Sequence, residues 1–141
     1  MKSTRLLLAG GLLAACAPAM QSAAVSAGNH PFIGSWRGTG EQSDEPGRSW
    51  SIAASIAPGR VGDVVGTITY PSLQCGGDLE LRSVSADSVV LREHIAFGTC
   101  VDLGIVTLRY RRPGVLTYAW RSETSNLTAH GEIGPAGRPD R

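Results

Sequence analysis

From Phe32 onward, apolar residues recur at every second position in short runs, each cut off by Gly, Pro, Asp or Ser. Period-two alternation puts one residue of each pair on a buried face and the next on a wet one, so these runs are half-buried β-strands. Eight can be counted. Gly34 to Gly40 opens the series. Trp50, Ile52, Ala54 and Ile56 share one face of the second strand, which stops at Pro58-Gly59. The third spans Asp63 to Tyr70, with Val64, Gly66, Ile68 and Tyr70 on one face and Val65, Thr67 and Thr69 on the other. Pro71 ends it, having no N–H for a ladder. Leu79 and Leu81 mark the fourth; Val89, Leu91, Glu93, Ile95 and Phe97 alternate along the fifth. Val106, Leu108 and Tyr110 share a face of the sixth against Ile105, Thr107 and Arg109. Leu116, Tyr118 and Trp120 share a face of the seventh, and Leu127, Ala129, Gly131 and Ile133 an eighth.

Eight short strands with tight turns and no helical period predict an all-β domain: an eight-stranded antiparallel up-and-down barrel, with a β-sandwich as the alternative. Closure removes the edge strands that would otherwise recruit other chains. A barrel of this size holds packed side chains or one small ligand. The chain has 141 residues, 18% of them charged, enough for one core. The expected domain covers residues 32–133, with a polar, small-residue tether over 16–31 and a disordered tail over 134–141.

The start reads differently. Lys2 and Arg5 precede the apolar run Leu6 to Leu13, followed by Ala14-Ala15-Cys16, the layout of an export signal over residues 1–15 that is too short for a membrane span. Leu13-Ala14-Ala15-Cys16 resembles the bacterial lipobox, which implies diacylation of Cys16. Ala17 after it, in place of Asp, implies sorting to the outer membrane, with the domain facing the periplasm or the surface. Cleavage after Ala15 or Ala19 to give a soluble secreted protein is the alternative.

With Cys16 assigned to lipid, Cys75 and Cys100 remain as one pair in an oxidising compartment. Bonded, they would make the two segments between them antiparallel neighbours, since their α-carbons must approach within about 7 Å. The bridge would close a loop of about 25 residues and contribute roughly 3 kcal/mol. A metal or redox pair is the competing reading, but neither His nor Cys lies at ligand spacing, so no metal or cofactor is expected. Gly76-Gly77 reads as a sharp turn beneath the bridge.

Gly34-Ser35-Trp36 resembles the Gly-x-Trp motif of lipocalins and other calycins. The resemblance implies a Trp closing one end of a barrel and packing against an Arg near the last strand, for which Arg121 is the expected counterpart. A wider pattern, Trp36-x-Gly38, Tyr70-Pro-Ser-Leu-x-Cys-Gly-Gly77, Phe97-Gly98-x-Cys100 and Tyr118-x-Trp120, is similar to a small secreted domain of uncharacterised bacterial proteins, sometimes attached to signalling proteins.

Lys2 and Arg5 taken from 13 basic residues leave 11, all Arg, against 12 acidic ones. That balance offers no basic face for nucleic acid. Catalysis has no visible constellation, because His30, His94 and His130 are dispersed and Ser72 lacks a nucleophile-elbow setting; a non-enzyme is expected. Glu93 stands out, since alternation puts it among Val89, Leu91, Ile95 and Phe97, where an unpaired charge is costly. Arg82 or Arg109 is the expected ion-pair partner. The sharper reading makes Glu93 the polar anchor of a ligand pocket, with Arg109 beside it and Tyr70, Tyr118 and Trp120 as walls. The expected function is an exported, lipid-anchored binding or envelope-associated module for a small apolar ligand or an envelope protein. The alternative is a periplasmic inhibitor of a cell-wall hydrolase such as lysozyme, inserting the loop Pro71, Ser72, Leu73 and Gln74.

Overall fold

A computed structural model describes residues 23–25 and 30–137. Cys16, the signal-like segment and residues 138–141 lie outside the described residues.

The strands are β1 (Ala24–Val25), β2 (Gly34–Gln42), β3 (Ser49–Ile56), β4 (Gly59–Arg60), β5 (Val64–Tyr70), β6 (Cys75–Val84), β7 (Ser88–Phe97), β8 (Gly104–Arg112), β9 (Val115–Ser122) and β10 (Thr128–Pro135), with one 3-10 turn at Pro71–Leu73. Eight of them form a closed antiparallel barrel in the order β10-β2-β3-β5-β6-β7-β8-β9. Each barrel strand pairs with the next in sequence, and β10 closes on β2 through pairs such as Gly131 with Gly40. The chain is therefore an up-and-down barrel, and the sandwich alternative is set aside.

The alternation lands where the sequence places it on most strands. Ile52, Ala54, Ile56, Leu79, Leu81, Val89, Leu91, Val106, Leu108, Leu116 and Ile133 fill the interior. On β5 the faces differ from expectation. A bulge between Val64 and Gly66 offsets the register by one, so Val65 turns into the core while Val64 is exposed. One inserted residue reverses the faces on either side of it. Phe97 also leaves the expected inner row and is exposed, because a second irregularity separates Gly76, paired with Phe97, from Gly77, paired with Ile95.

Gly76 and Gly77 form no turn. Both lie inside β6, where an added Cβ would run into backbone of the flanking strands at Ile68–Thr69 and His94. Their lack of side chains permits close strand approach rather than reversal. Reversal happens at Gln74 (φ 53°) and Gly98 (φ 80°). Gly98 is pressed against Cys75, beside the Cys75–Cys100 disulfide, whose α-carbons are 5.9 Å apart. The bridge ties the first residue of β6 to the loop that follows its antiparallel neighbour β7.

The proposed tether and tail are both trimmed. Ala24–Val25 pairs with Gly59–Arg60, Ala23 C=O accepts from Val61 N–H, and Val25 is buried with Phe32 in the core cluster. A branched apolar side chain gains about 1.5–3 kcal/mol by leaving water, which favours docking this stretch under the barrel. At the other terminus β10 continues through Gly134 and Pro135, opposite Arg37 and Trp36.

Candidate functional site

The barrel has two unlike ends. The loops 57–63, 85–87 and 113–114 and the segment before β2 lie at one end. There Trp36 is buried and its indole N–H donates to the Phe32 carbonyl at 2.9 Å. Phe32 and Val25 fill the base. The expected Trp36–Arg121 contact is not made: Arg121 pairs with Ile105 and Thr128 at the opposite end of the barrel and is exposed.

The open end is ringed by residues 43–48, 71–74, 98–103 and 123–127. Below this ring a cavity of about 400 Å³ enters the barrel, lined by Gln42, Arg48, Trp50, Tyr70, Leu73, Glu93, Thr99, Cys100, Val101, Tyr118, Trp120, Leu127, Thr128 and Ala129. Tyr70 on β5 and Tyr118 on β9 stand on strands four steps apart in either direction around the barrel, hence on opposite walls. Their hydroxyls meet at 3.0 Å. Together the two phenols form a crossbar that roofs the packed lower core and floors the cavity.

Glu93 sits at the crossbar and is 1% exposed. Tyr70 O–H donates to its Oε2 at 2.5 Å. Because that uses the single Tyr70 proton, Tyr118 O–H donates to the Tyr70 oxygen, so the chain of donors runs toward the carboxylate. The Trp120 indole lies beside the carboxyl, and its N–H favours the ionised form. Gly104 makes this placement possible, because a Cβ at that position would collide with the Trp120 indole. Trp50 is accommodated in the same way over its cross-strand partner Gly40, where a Cβ would meet its Nε1 at 2.9 Å.

The expected ion pair at Glu93 does not exist. Arg82 is turned outward to Glu80 at 3.0 Å. Arg109 pairs in register with Ser88 and Thr117 on the outward-facing row of β8 and is exposed, which removes it from the candidate pocket. Among the described residues no cation bridges Glu93. Its carboxyl pKa is raised because burial disfavours the charged form, an effect that the Tyr70 hydroxyl and the nearby Trp120 N–H only partly offset. Burial likewise pushes both phenols above the ordinary tyrosine range, Tyr70 with further contributions from Tyr118 and Glu93.

The rim is built, not loose. Pro71–Leu73 folds into a 3-10 turn and is pinned to β3 by two reciprocal bonds: Ser51 N–H to Ser72 Oγ at 2.9 Å and Ser72 N–H to Ser51 Oγ at 3.0 Å. Leu73 then faces the cavity mouth, so the loop read as an insert also contributes one side chain to the pocket lining. Across the mouth, Asp102 accepts from Ile95 and Leu103 N–H, each at 2.8 Å. Those bonds hold its carboxyl below the usual range and fix the 98–103 loop, whose Leu103 lies at φ 58°.

The structure thus brings together Tyr70, Glu93, Tyr118 and Trp120 and separates Arg109 from them. Trp50, Gln42 and Ala129 also line the cavity without a role assigned from the sequence; Trp50 and Ala129 were legible as inward positions. His94 and His130 lie on the outside, against Glu80 at 3.0 Å and Ser43 at 3.2 Å. No protein-family model matches the sequence, and no curated protein matches it either.

Proposed function

We propose that the chain is an exported, lipid-anchored binding module whose barrel accepts one small molecule with an apolar body through its open end. The observation that carries this reading is the half-filled interior: a cavity of about 400 Å³ above the Tyr70–Tyr118 crossbar, walled by indoles and floored by one buried carboxyl. A mostly apolar concavity with few convergent polar groups is the usual form of a small-molecule site. A cavity left empty of side chains forfeits contacts that a packed core would have made, and a ligand would restore them. The anchor rests on the Leu13-Ala14-Ala15-Cys16 lipobox resemblance.

Two measurements test the two halves of the proposal. Intact-mass analysis of the membrane-extracted protein, with and without reductant, should give a chain beginning at Cys16 with added acyl mass and a 2 Da increase on reduction; an unacylated chain cut elsewhere removes the anchor. The neutral apolar probe N-phenyl-1-naphthylamine should bind at one site per barrel, and Ala129→Phe, which places a ring in the cavity, should abolish it. Absence of binding to the unaltered barrel would defeat the ligand-site reading.

A further inference from the structure

We propose that the open-end cavity selects organic cations: an ammonium group carried on an apolar or aromatic body, with the ammonium lodged between Glu93 and the aromatic side chains. The inference rests on the reading of the cavity as a ligand site and narrows it to a chemical class.

Charge comes first. Only two lining residues are charged, Arg48 and Glu93. Arg48 stands at the rim, bonded to Glu45 at 3.0 Å with a 61% exposed side chain, so water and its own partner satisfy it. Glu93 is the opposite case, buried and, among the described residues, without a counter-cation. Inside the cavity the unbalanced charge is therefore negative. An anionic ligand would set a second acid against Glu93, and a neutral one would leave the carboxylate uncompensated. Burial disfavours the ionised carboxyl, and a bound cation would reverse that penalty.

Wall chemistry points the same way. Trp50, Tyr70, Tyr118 and Trp120 surround the space above Glu93, and aromatic faces carry the negative end of the ring quadrupole. Two indoles, two phenols and a carboxylate converge on one volume. Gly40 and Gly104 hold this arrangement, since any larger residue there would displace an indole. Tyr70 spends its hydroxyl proton on Glu93 and Tyr118 spends its own on Tyr70, which leaves them without a donor for a carboxylate or phosphate ligand.

The test compares three probes that share a naphthyl body and differ in head group, by calorimetric titration of the full chain at neutral pH: (2-naphthylmethyl)trimethylammonium, 2-naphthylmethanol and 2-naphthoate. The quaternary ammonium lacks an N–H, so its binding reports charge rather than hydrogen bonding. Expected is at least tenfold tighter binding of the ammonium than of the alcohol, with no detectable binding of the carboxylate. Glu93→Gln, nearly isosteric, should erase the ammonium preference while leaving the alcohol within about threefold. Equal or weaker binding of the ammonium relative to the alcohol in the native barrel overturns the cation assignment, whether or not the variant folds, and leaves the ligand site standing. Failure of all three probes to bind overturns both readings. An ammonium preference that persists in Glu93→Gln overturns the role given to the carboxylate.

Discussion

Breaking the Cys75–Cys100 bridge is the perturbation whose size follows most directly from the structure. The bonded residues are separated by 25 positions. In the chain-entropy treatment a loop of that length removes about 12 cal/mol/K from the unfolded ensemble, or about 3.5 kcal/mol at 25 °C. The expected total for a domain of this kind is roughly 5–15 kcal/mol, so the bridge supplies between roughly a quarter and two thirds of it. For about 110 ordered residues, an unfolding entropy near 2.1 cal/mol/K per residue converts 3.5 kcal/mol into a melting-point decrease of about 15 °C.

The assay is thermal and urea unfolding of the oxidised protein, the reduced protein and Cys75→Ala/Cys100→Ala. Reduced and double-variant proteins should agree within a few degrees, and both should show a steeper urea dependence, because the unfolded chain exposes more surface once the loop is released. The β6–β7 pairing supplies its own contacts and should survive, so both should still fold as β-rich barrels at 10 °C. A melting-point change under about 4 °C would refute the loop-entropy reasoning, by showing that residues 75–100 are already held together when the rest of the chain unfolds.

Three other perturbations probe the cavity. Because the native carboxyl of Glu93 has a pKa raised above its unfolded value, the native state holds more protons than the unfolded state in the window between the two. Stability contributed by Glu93 is present below the unfolded pKa and is lost as pH rises through the folded one, so urea midpoints should fall from pH 4.5 upward in the unaltered protein and less steeply in Glu93→Gln. Gly104→Ala puts a Cβ into the Trp120 indole and should cost about 1–3 kcal/mol, with increased acrylamide quenching of tryptophan; unchanged stability and quenching would contradict the cross-strand placement. Tyr70→Phe strips Glu93 of its hydroxyl donor and leaves Tyr118 O–H unpaired, so it should cost about 2–3 kcal/mol, against about 1 kcal/mol for Tyr118→Phe, which removes only the outer bond; the reverse order in denaturant unfolding would overturn the donor direction assigned to the crossbar.

Much of this fold is legible because strand alternation is a local property. Trp50-x-Ile52-x-Ala54-x-Ile56 and Leu116-x-Tyr118-x-Trp120 declare their inner faces without reference to the rest of the chain, and the interior follows. The sequence lost its way where one residue is added to a ladder. The bulge before Gly66 is set by the pairing with Glu80 and Leu79, and nothing within Val64-Val65-Gly66 announces which valine turns in. Arg109 illustrates a different limit: period two gives a residue's face, but a side chain on the outer row of β8 cannot reach an interior carboxylate. Val25 was hidden in a run of small residues, where its burial depends on a gap at the barrel base that no local pattern records. The glycines at 40 and 104 matter for the same non-local reason, since each is required by an indole on another strand.

The division of the barrel into a packed half and a hollow half also bears on why a carboxyl can remain buried without an ion pair. In the lower half, where aliphatic side chains interlock, an unpaired acid would meet no donors, and replacement by an apolar residue would be favoured. At the crossbar the situation differs. Tyr70 donates its proton to Glu93, Tyr118 backs Tyr70, and the Trp120 indole lies beside the carboxyl, so desolvation is partly met by the walls, while the cavity above keeps the carboxyl within reach of whatever enters. Moving Glu93 one inward position along β7, to Leu91, would place it among Leu81, Val106 and Leu108 with no such donors. The acid is tolerable only at the boundary between the halves, which is also the one level of the barrel at which a buried charge can act on a ligand.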